Sequence, residues 1–372
     1  MKEPPLTRSH PAPRHGADAG PTVTVRAPAK VNLHLGVGPL RPDGYHDVIT
    51  VLQAVSLFDD LVATTRPGPD AGSTTDADEA ASGLDVTVEV TGEGAGPAGN
   101  GPATSTPDVS IVPTGLDNIA VRAAHLVAEA GGVSSAQVHL ALTKGIPVAA
   151  GMAGGSADAA AALVACDALW QTGLDRATLA ELAARLGSDV PFPLAGGTAL
   201  GTGRGEQLTD VLATGEYHWV FALADGGLST PAVYAEFDRL SEGRLRSGPT
   251  PADDVLAALR TGDPRQLGAA LVNDLQPAAL RLRPALRRVL ATGTELGAVG
   301  AIVSGSGPTC AFLAAGAAES IDLAASLAGE GVARAVRRAA GPAAGARVIA
   351  DSTLPDGTAP GGAVGTPSRQ EP

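Results

Sequence analysis

Five short constellations in this chain carry residue types that handle phosphate or protons. The most informative is the run Lys144-Gly145-Ile146-Pro147-Val148-Ala149-Ala150-Gly151-Met152-Ala153-Gly154-Gly155-Ser156-Ala157-Asp158. It follows a short apolar stretch at 138–142 and opens an alanine-rich segment that reaches residue 170. Gly154-Gly155 has no Cβ to keep a ligand off the backbone. Ser156 stands where an N-cap or first-turn residue belongs, and the sequence that follows favours helix. A glycine turn opening a helix presents unpaired N–H groups and the positive end of the dipole, which suits phosphate. The spacing matches neither G-x-x-x-x-G-K-[ST] nor G-x-G-x-x-G. On its own, a tight turn ahead of a core helix accounts for it equally well.

The other four constellations divide the remaining chemistry. Lys30 and Asn32 are two apart in an extended run, so both face one side of a strand. Such a pair can orient a hydroxyl or phosphate oxygen, or simply form an exposed strand face. Asp43-Gly44-Tyr45-His46 sets an aromatic beside an imidazole on a backbone freed by glycine, fit to stack on a base or to make a plain turn. In Gly187-Ser188-Asp189-Val190-Pro191 a carboxylate is held between a helix exit and a proline. It is placed either to take a proton from a hydroxyl or to act as a polar turn residue. Ser304-Gly305-Ser306-Gly307-Pro308-Thr309 is a second glycine-rich turn, expected to face the first across a cleft. The seven histidines show no metal-ligand spacing, and Ser156 lies in no G-x-S-x-G elbow.

Composition narrows the setting for this chemistry. At 372 residues the chain is long enough for two domains. It is 44% hydrophobic with no run of eighteen apolar residues, which excludes a membrane-spanning reading. A net charge of −13 argues against nucleic-acid or membrane partners. An anionic substrate therefore needs a local cluster of positive charge. Lysine occurs only at Lys2, Lys30 and Lys144, and arginine supplies the other basic residues. Where arginine is the default cation, a retained lysine marks a place that wants a compact ammonium. Asparagine is as scarce, at Asn32, Asn100, Asn118 and Asn273. Cys166 and Cys310 read as small buried hydrophobes of a reducing, cytoplasmic protein, and residues 1–20 have no apolar secretory region.

The elements that must position these residues follow from periodicity and punctuation. Strands are expected at 22–26, 31–37, 48–57, 84–90 and 138–142, and helices at 118–130, 159–169 and 176–186. A strand pair is expected at 192–208. Beyond it come a strand at 219–223, helices near 231–240, 253–261, 264–271 and 284–294, a strand–turn–strand at 297–313 and a helix at 320–338. This order predicts two α+β layers meeting at a cleft. The expected division is a disordered tail at 1–20, a first domain at 21–212 with low-complexity excursions near 66–83 and 91–107, a second domain at 213–351, and a disordered tail at 352–372.

Taken together, Pro28-Ala29-Lys30-Val31-Asn32-Leu33, Asp43 to His46, Pro147 to Asp158 and Gly187 to Pro191 resemble the GHMP kinases, with Ser304 to Cys310 as a weaker fifth motif. Among these kinases the resemblance is to those whose acceptor is a cytidylated polyol. It implies a two-domain α+β fold, with a ribosomal-S5-like nucleotide-binding domain, a ferredoxin-like second domain and the active site between them. The implied activity is ATP- and Mg²⁺-dependent phosphorylation of the 2-hydroxyl of a cytidylated methylerythritol, on the non-mevalonate route to isoprenoid precursors. The enzyme would be a monomer or weak homodimer. In this reading Asp189 is the base and Lys30 its ammonium partner. Asn32, Tyr45, His46 and Leu200 hold the acceptor, with Tyr45 and Leu200 on the two faces of the cytosine. The run from Pro147 to Ala157, with Asn118 and Lys144, holds ATP, and Ser156 is the candidate Mg²⁺ ligand. Kinases of the same family acting on homoserine, mevalonate or a sugar are the alternative. Tyr45-His46 argues against them because those substrates offer no base. A catalytically silent ligand sensor is opposed by the intact Lys30 and Asp189.

Overall fold

The computed structural model describes residues 20–65, 83–93, 115, 117–148, 150–242 and 248–353. The expected tails and low-complexity excursions lie almost entirely outside these residues, as does Ala149. The chain opens with β1 (Thr22–Leu40), β2 (His46–Thr65), β3 (Leu84–Gly92), α1 (Ile119–Gly131) and β4 (Ala136–Lys144). Next come α2 (Gly154–Trp170), α3 (Arg176–Leu186), α4 (Pro191–Ala195), β5 (Thr198–Thr202) and β6 (Gln207–Asp210). The second half runs β7 (Tyr217–Leu223), α5 (Thr230–Ser241), α6 (Asp253–Thr261), α7 (Pro264–Ala270), β8 (Val272–Asn273) and α8 (Gln276–Leu282). It ends with α9 (Ala285–Glu295), β9 (Gly300–Val303), β10 (Cys310–Ala314), α10 (Ala317–Gly329), β11 (Ala335–Gly341) and β12 (Arg347–Asp351).

Two sheets result. The first has eight strands along β12-β1-β2-β4-β3, with β5 and then β6 joined to β2, and β8 joined to β1. The second is antiparallel, in the order β11-β7-β10-β9. The two strands expected at 22–26 and 31–37 are one long strand. Pro28, which has no N–H to give, sits at a register break between Pro28 and Ala29, where the ladder tolerates it.

Two other expectations are corrected. Phe192 belongs to α4, where Pro191 opens a short helix in place of a strand. The helix expected to reach 338 ends at Gly329; Gly331, at φ +62°, turns the chain into β11. There the pairing of Ala335–Gly341 with β7 overrides the helix preference of an alanine-rich run.

The central packing element is α2. It lies on β1, β2 and α1, and Ala157, Ala159, Ala160, Ala161, Ala162 and Leu163 are all fully buried. Small side chains let this helix run close to the sheet through the main core. Its first turn therefore emerges at the cleft as the end of a buried rod. The second core, with Val220, Phe312, Leu286 and Leu323, covers the four-stranded sheet. No helix among the described residues is long and apolar enough to cross a membrane.

Candidate active site

The glycine loop is built to leave backbone donors free. Helix α2 starts at Gly154, and its N-cap, Ala153, is in the left-handed region (φ 60°, ψ 35°) with no side-chain cap. The first helical bond runs from Ala157 N–H to Ala153 O at 2.9 Å. The earlier N–H groups, Gly154 to Ser156 among them, therefore have no intrahelical acceptor, and they lie at the positive end of a 17-residue helix. Ser156 is the third residue of that turn, half-buried, and Gly155 is exposed. Pro147, Ala150, Met152 and Ala157 are buried and Val148 is half-buried, so they shape the loop from behind.

The loop is pinned from two sides. Lys30 N–H donates to Met152 O at 3.2 Å, and Ser304 Oγ donates to Gly151 O at 3.3 Å. A Cβ on Gly151, which sits at φ +71°, would lie 2.5 Å from Ser304 O. The two glycine turns thus meet at a distance only glycine allows, as their expected facing requires. Asn273, which belongs to none of the five motifs, fastens the second turn. Its Nδ2 donates to Val303 O and Gly305 O, each at 2.8 Å, while β8 pairs alongside β1.

Lys30, Asn32, Tyr45, His46, Gly151, Ala153 and Asp189 all line one cavity of about 570 Å³. Lys30 is only 6% exposed. Its Nζ donates to Asn32 Oδ1 at 2.6 Å, Asn32 Nδ2 donates to Thr50 Oγ1 at 3.0 Å, and Thr50 Oγ1 donates to His34 O at 2.7 Å. This chain fixes the amide and aims the ammonium. Burial lowers the Lys30 pKa, and the charge of Asp189 pulls it partly back. Asp189 is exposed at the mouth of the cavity, in the turn between α3 and α4. A carboxylate and an ammonium thus address the same space beside an anion cradle.

The far end of the cavity is aromatic. Tyr45 is 52% exposed. His46 is buried, and its Nδ1 donates to Gly38 O at 2.9 Å; a carbonyl only accepts, so the proton is on Nδ1. Its Nε2 is left for the cavity, with Asp238 Oδ2 3.5 Å away. The His46 ring leans on Tyr234, centroids 5.1 Å apart. Burial, with Asp189 second, pushes the Tyr234 hydroxyl up to about 12. Tyr234 and Asp238 were missed by sequence reasoning, although their i,i+4 spacing on the expected helix at 231–240 puts them on one face. Thr50 and Arg204, also lining residues, were missed too.

Leu200 is not among the residues lining this cavity. It pairs with Val51, whereas cavity-lining Thr50 pairs with Gly201. Successive residues face opposite sides of a sheet, so Leu200 shares the side of Val51, which belongs to the main core. The residue this hairpin presents to the cavity is Arg204, in the turn between β5 and β6. Its Cζ lies 5.0 Å from the centroid of the Tyr45 ring.

Two residues expected to hold ATP also have structural commitments. Lys144 Nζ donates to Asp59 Oδ2 at 2.5 Å, to Asp158 Oδ2 at 2.6 Å and to Gly154 O at 3.3 Å. An ammonium has three donors, and all three are used. Burial works against this ammonium, but Asp158 and Asp59 outweigh it and hold its pKa above the ordinary lysine value. Burial, opposed by Lys144 and reinforced by Asp59, pushes the Asp158 carboxyl up to about 8. Two carboxylates sharing one buried ammonium favour one extra proton, which makes the cluster neutral. Asn118 is buried as the N-cap of α1, with Oδ1 accepting from Ala120 N–H at 2.8 Å.

Comparison with known proteins identifies the family. Residues 118–197 match the family of GHMP kinases N terminal domains, and residues 255–337 match the GHMP kinases C terminal family. A Nocardia farcinica protein named 4-diphosphocytidyl-2-C-methyl-D-erythritol kinase is 54% identical over 334 residues, 88% of this chain and 96% of its own length. One of the same name from Thermobifida fusca is 52% identical over 333 residues, 89% and 100% of the two chains. The crystal structure of a 4-(cytidine 5'-diphospho)-2C-methyl-D-erythritol kinase is similar with a TM-score of 0.63 at 32% identity, covering 85% of this chain and 98% of that one. A homoserine kinase from Cytophaga hutchinsonii shares the fold at 16% identity and a TM-score of 0.64, covering 91% and 100%.

Proposed function

The chain belongs to the GHMP kinases and, within them, to the 4-diphosphocytidyl-2-C-methyl-D-erythritol kinases, and on that premise we propose that it transfers the γ-phosphoryl group of ATP to the 2-hydroxyl of 4-diphosphocytidyl-2-C-methyl-D-erythritol. This places it on the methylerythritol phosphate route to isoprenoid precursors. The observation that carries the reading is one cavity lined by a lysine, a carboxylate and the glycine loop at one end and by Tyr45 and His46 at the other. Such a cavity asks for an alcohol tethered to a planar, hydrogen-bonding ring.

Phosphoryl transfer needs mainly positioning and stabilised charge on the transferring oxygens. The free N–H groups at the start of α2 hold the phosphates without reorganising. Asp189 takes the proton of the acceptor hydroxyl as its oxygen bonds to the γ-phosphorus and the bond to the leaving ADP oxygen breaks. Lys30, oriented by Asn32, stabilises the negative charge on the acceptor oxygen. Tyr45 stacks on the cytosine, and the Nε2 edge of His46, with Asp238 beside it, meets the polar edge of the ring.

Among the described residues no cluster of three or more His, Cys, Asp or Glu side chains stands ready for a metal. The Ser156 hydroxyl beside the anion cradle instead fits Mg²⁺ held largely by phosphate oxygens and water. Bound there with ATP, the ion would neutralise phosphate charge.

The test is a coupled assay of ADP release with the cytidylated alcohol, homoserine and mevalonate as acceptors. The first is expected to be turned over and the others not. Asp189→Ala is expected to lose about 10²–10⁴-fold in kcat, the usual contribution of a general base, with an unchanged circular dichroism spectrum. Near-native turnover by that variant would remove Asp189 from the mechanism.

A further inference from the structure

The cavity has one cation that the reaction chemistry leaves unused. Lys30 is buried at the reacting end and bonded to Asn32. Arg204 is the other lysine or arginine among the lining residues, and its side chain is 41% exposed. Its turn is held in place: Arg204 N–H donates to Glu206 Oε2 at 2.7 Å, and Val48 N–H donates to Gly203 O at 2.8 Å, two residues beyond His46. The guanidinium itself is loosely held. Its ion pair with Glu206 spans 4.0 Å, the outer limit for such a pair, and is of little energetic weight at this exposure. The remaining contact is with the Tyr45 ring at 5.0 Å.

That contact occupies the surface on which a base would stack. A ligand carrying a base and two phosphates brings negative charge into a cavity also lined by Asp189 and Asp238, on a chain of net charge −13. It needs a positive partner between Tyr45 and the reacting end. We infer that Arg204 is a displaceable cation that rests on Tyr45 in the free protein, gives up that ring to the cytosine and pairs with the diphosphate of the same ligand. The inference rests on the function proposed above and assigns the residue that selects a diphosphate-bearing nucleoside over a bare one.

The mechanism makes different predictions for two simple probes. Cytidine must displace the guanidinium and gains no phosphate contact in return. Cytidine 5'-diphosphate displaces it and then recruits it. Calorimetric titration of the full chain with each probe is therefore compared for the wild type, Arg204→Ala and Arg204→Gln, the last keeping side-chain length without charge. Both variants are expected to bind the diphosphate at least about 10-fold more weakly, the scale of a lost charge-assisted contact. They are expected to bind cytidine as well as the wild type or up to about 5-fold more tightly, since an exposed cation–π contact no longer competes. Equal weakening for both probes, or none for the diphosphate, overturns the inference while leaving the proposed function standing. A wild type that binds neither probe overturns the reading of the cavity, and the inference falls with it. An unchanged KM for ATP in the variants confirms that their fold is retained.

Discussion

Lys144→Met tests whether the glycine loop is held up by a buried ion cluster. The substitution keeps the aliphatic bulk and removes the ammonium. It deletes three hydrogen bonds, two of them short bonds to carboxylates with almost no solvent access. Asp59 keeps two other donors, the N–H groups of Gly145 and Ile146 at 2.8 Å each. Asp158 keeps none to its Oδ1, which is buried without a partner. Removing one member of a buried ionic group costs about 3–5 kcal/mol, chiefly because the charges left behind lack a partner.

The cost of this substitution should depend on pH. The Asp158 pKa is raised to about 8 in the folded protein, so below that value the acid is already neutral and the cluster needs its cation less. The folded state then binds more protons than the unfolded one between about pH 4 and pH 8, and this group's contribution to stability falls as pH rises through that window. Urea unfolding of wild type and Lys144→Met, followed by circular dichroism at pH 6 and pH 8.5, should show the larger difference at pH 8.5. Because Gly154 O is one of the three acceptors, KM for ATP should rise about 10-fold, in the range of one lost charge-assisted bond, with KM for the acceptor unchanged. A stability loss under about 1 kcal/mol at both pH values, the level of a surface pair, would refute the argument.

Gly151→Ala should lower stability and reduce turnover, because the new Cβ would meet Ser304 O at 2.5 Å and sit on a φ of +71°. A cost of about 1–3 kcal/mol in denaturant unfolding is expected from the backbone conformation alone, before the clash is counted. The two internal lysines should titrate on opposite sides of the ordinary value of about 10.4, Lys30 below it and Lys144 above. With three lysines in the chain, ε-¹³C-lysine labelling gives signals few enough to assign by substitution. For Lys30 the folded state binds fewer protons than the unfolded one between its lowered and its ordinary pKa, so its contribution to stability rises with pH across that window. Asp189→Asn should lower the Lys30 value further; a rise would contradict the electrostatic link between them.

How much of the site was legible depended on the range over which each relation is set. Lys30 and Asn32 were readable as a pair because strand alternation is local, and the register break at Pro28 precedes both. The loop and its helix were readable from glycine and alanine alone. Leu200 was misplaced because its facing depends on how β5 registers on β2, and a shift of one residue exchanges the two sides. The same register makes Arg204 a cavity residue, which nothing local to Gly203-Arg204-Gly205 announces. Lys144 stood out by the scarcity of lysine, but of its two carboxylate partners only Asp158 is nearby in sequence; Asp59 is 85 residues away, so the shared ion cluster was invisible.

The scarcity of lysine acquires a physical reason from the same geometry. A Cβ on Gly154 would stand 3.5 Å from Lys144 Nζ, and a Cβ on Gly305 would stand 3.4 Å from Lys30 Nζ. Each internal ammonium is thus lodged against a glycine of one of the two facing turns, with bare backbone as its ceiling. A guanidinium is planar and wider than an ammonium, and it needs room for a fork of five donors. In the Lys144 niche three acceptors surround one nitrogen, and a fork would leave buried donors unmatched. At the Lys30 niche the compact charge is bonded to Asn32, feels the charge of Asp189 and lies beside Gly305. The two glycine turns therefore do more than admit phosphate to the backbone: each also lies in van der Waals range of an internal ammonium, Gly154 of Lys144 and Gly305 of Lys30.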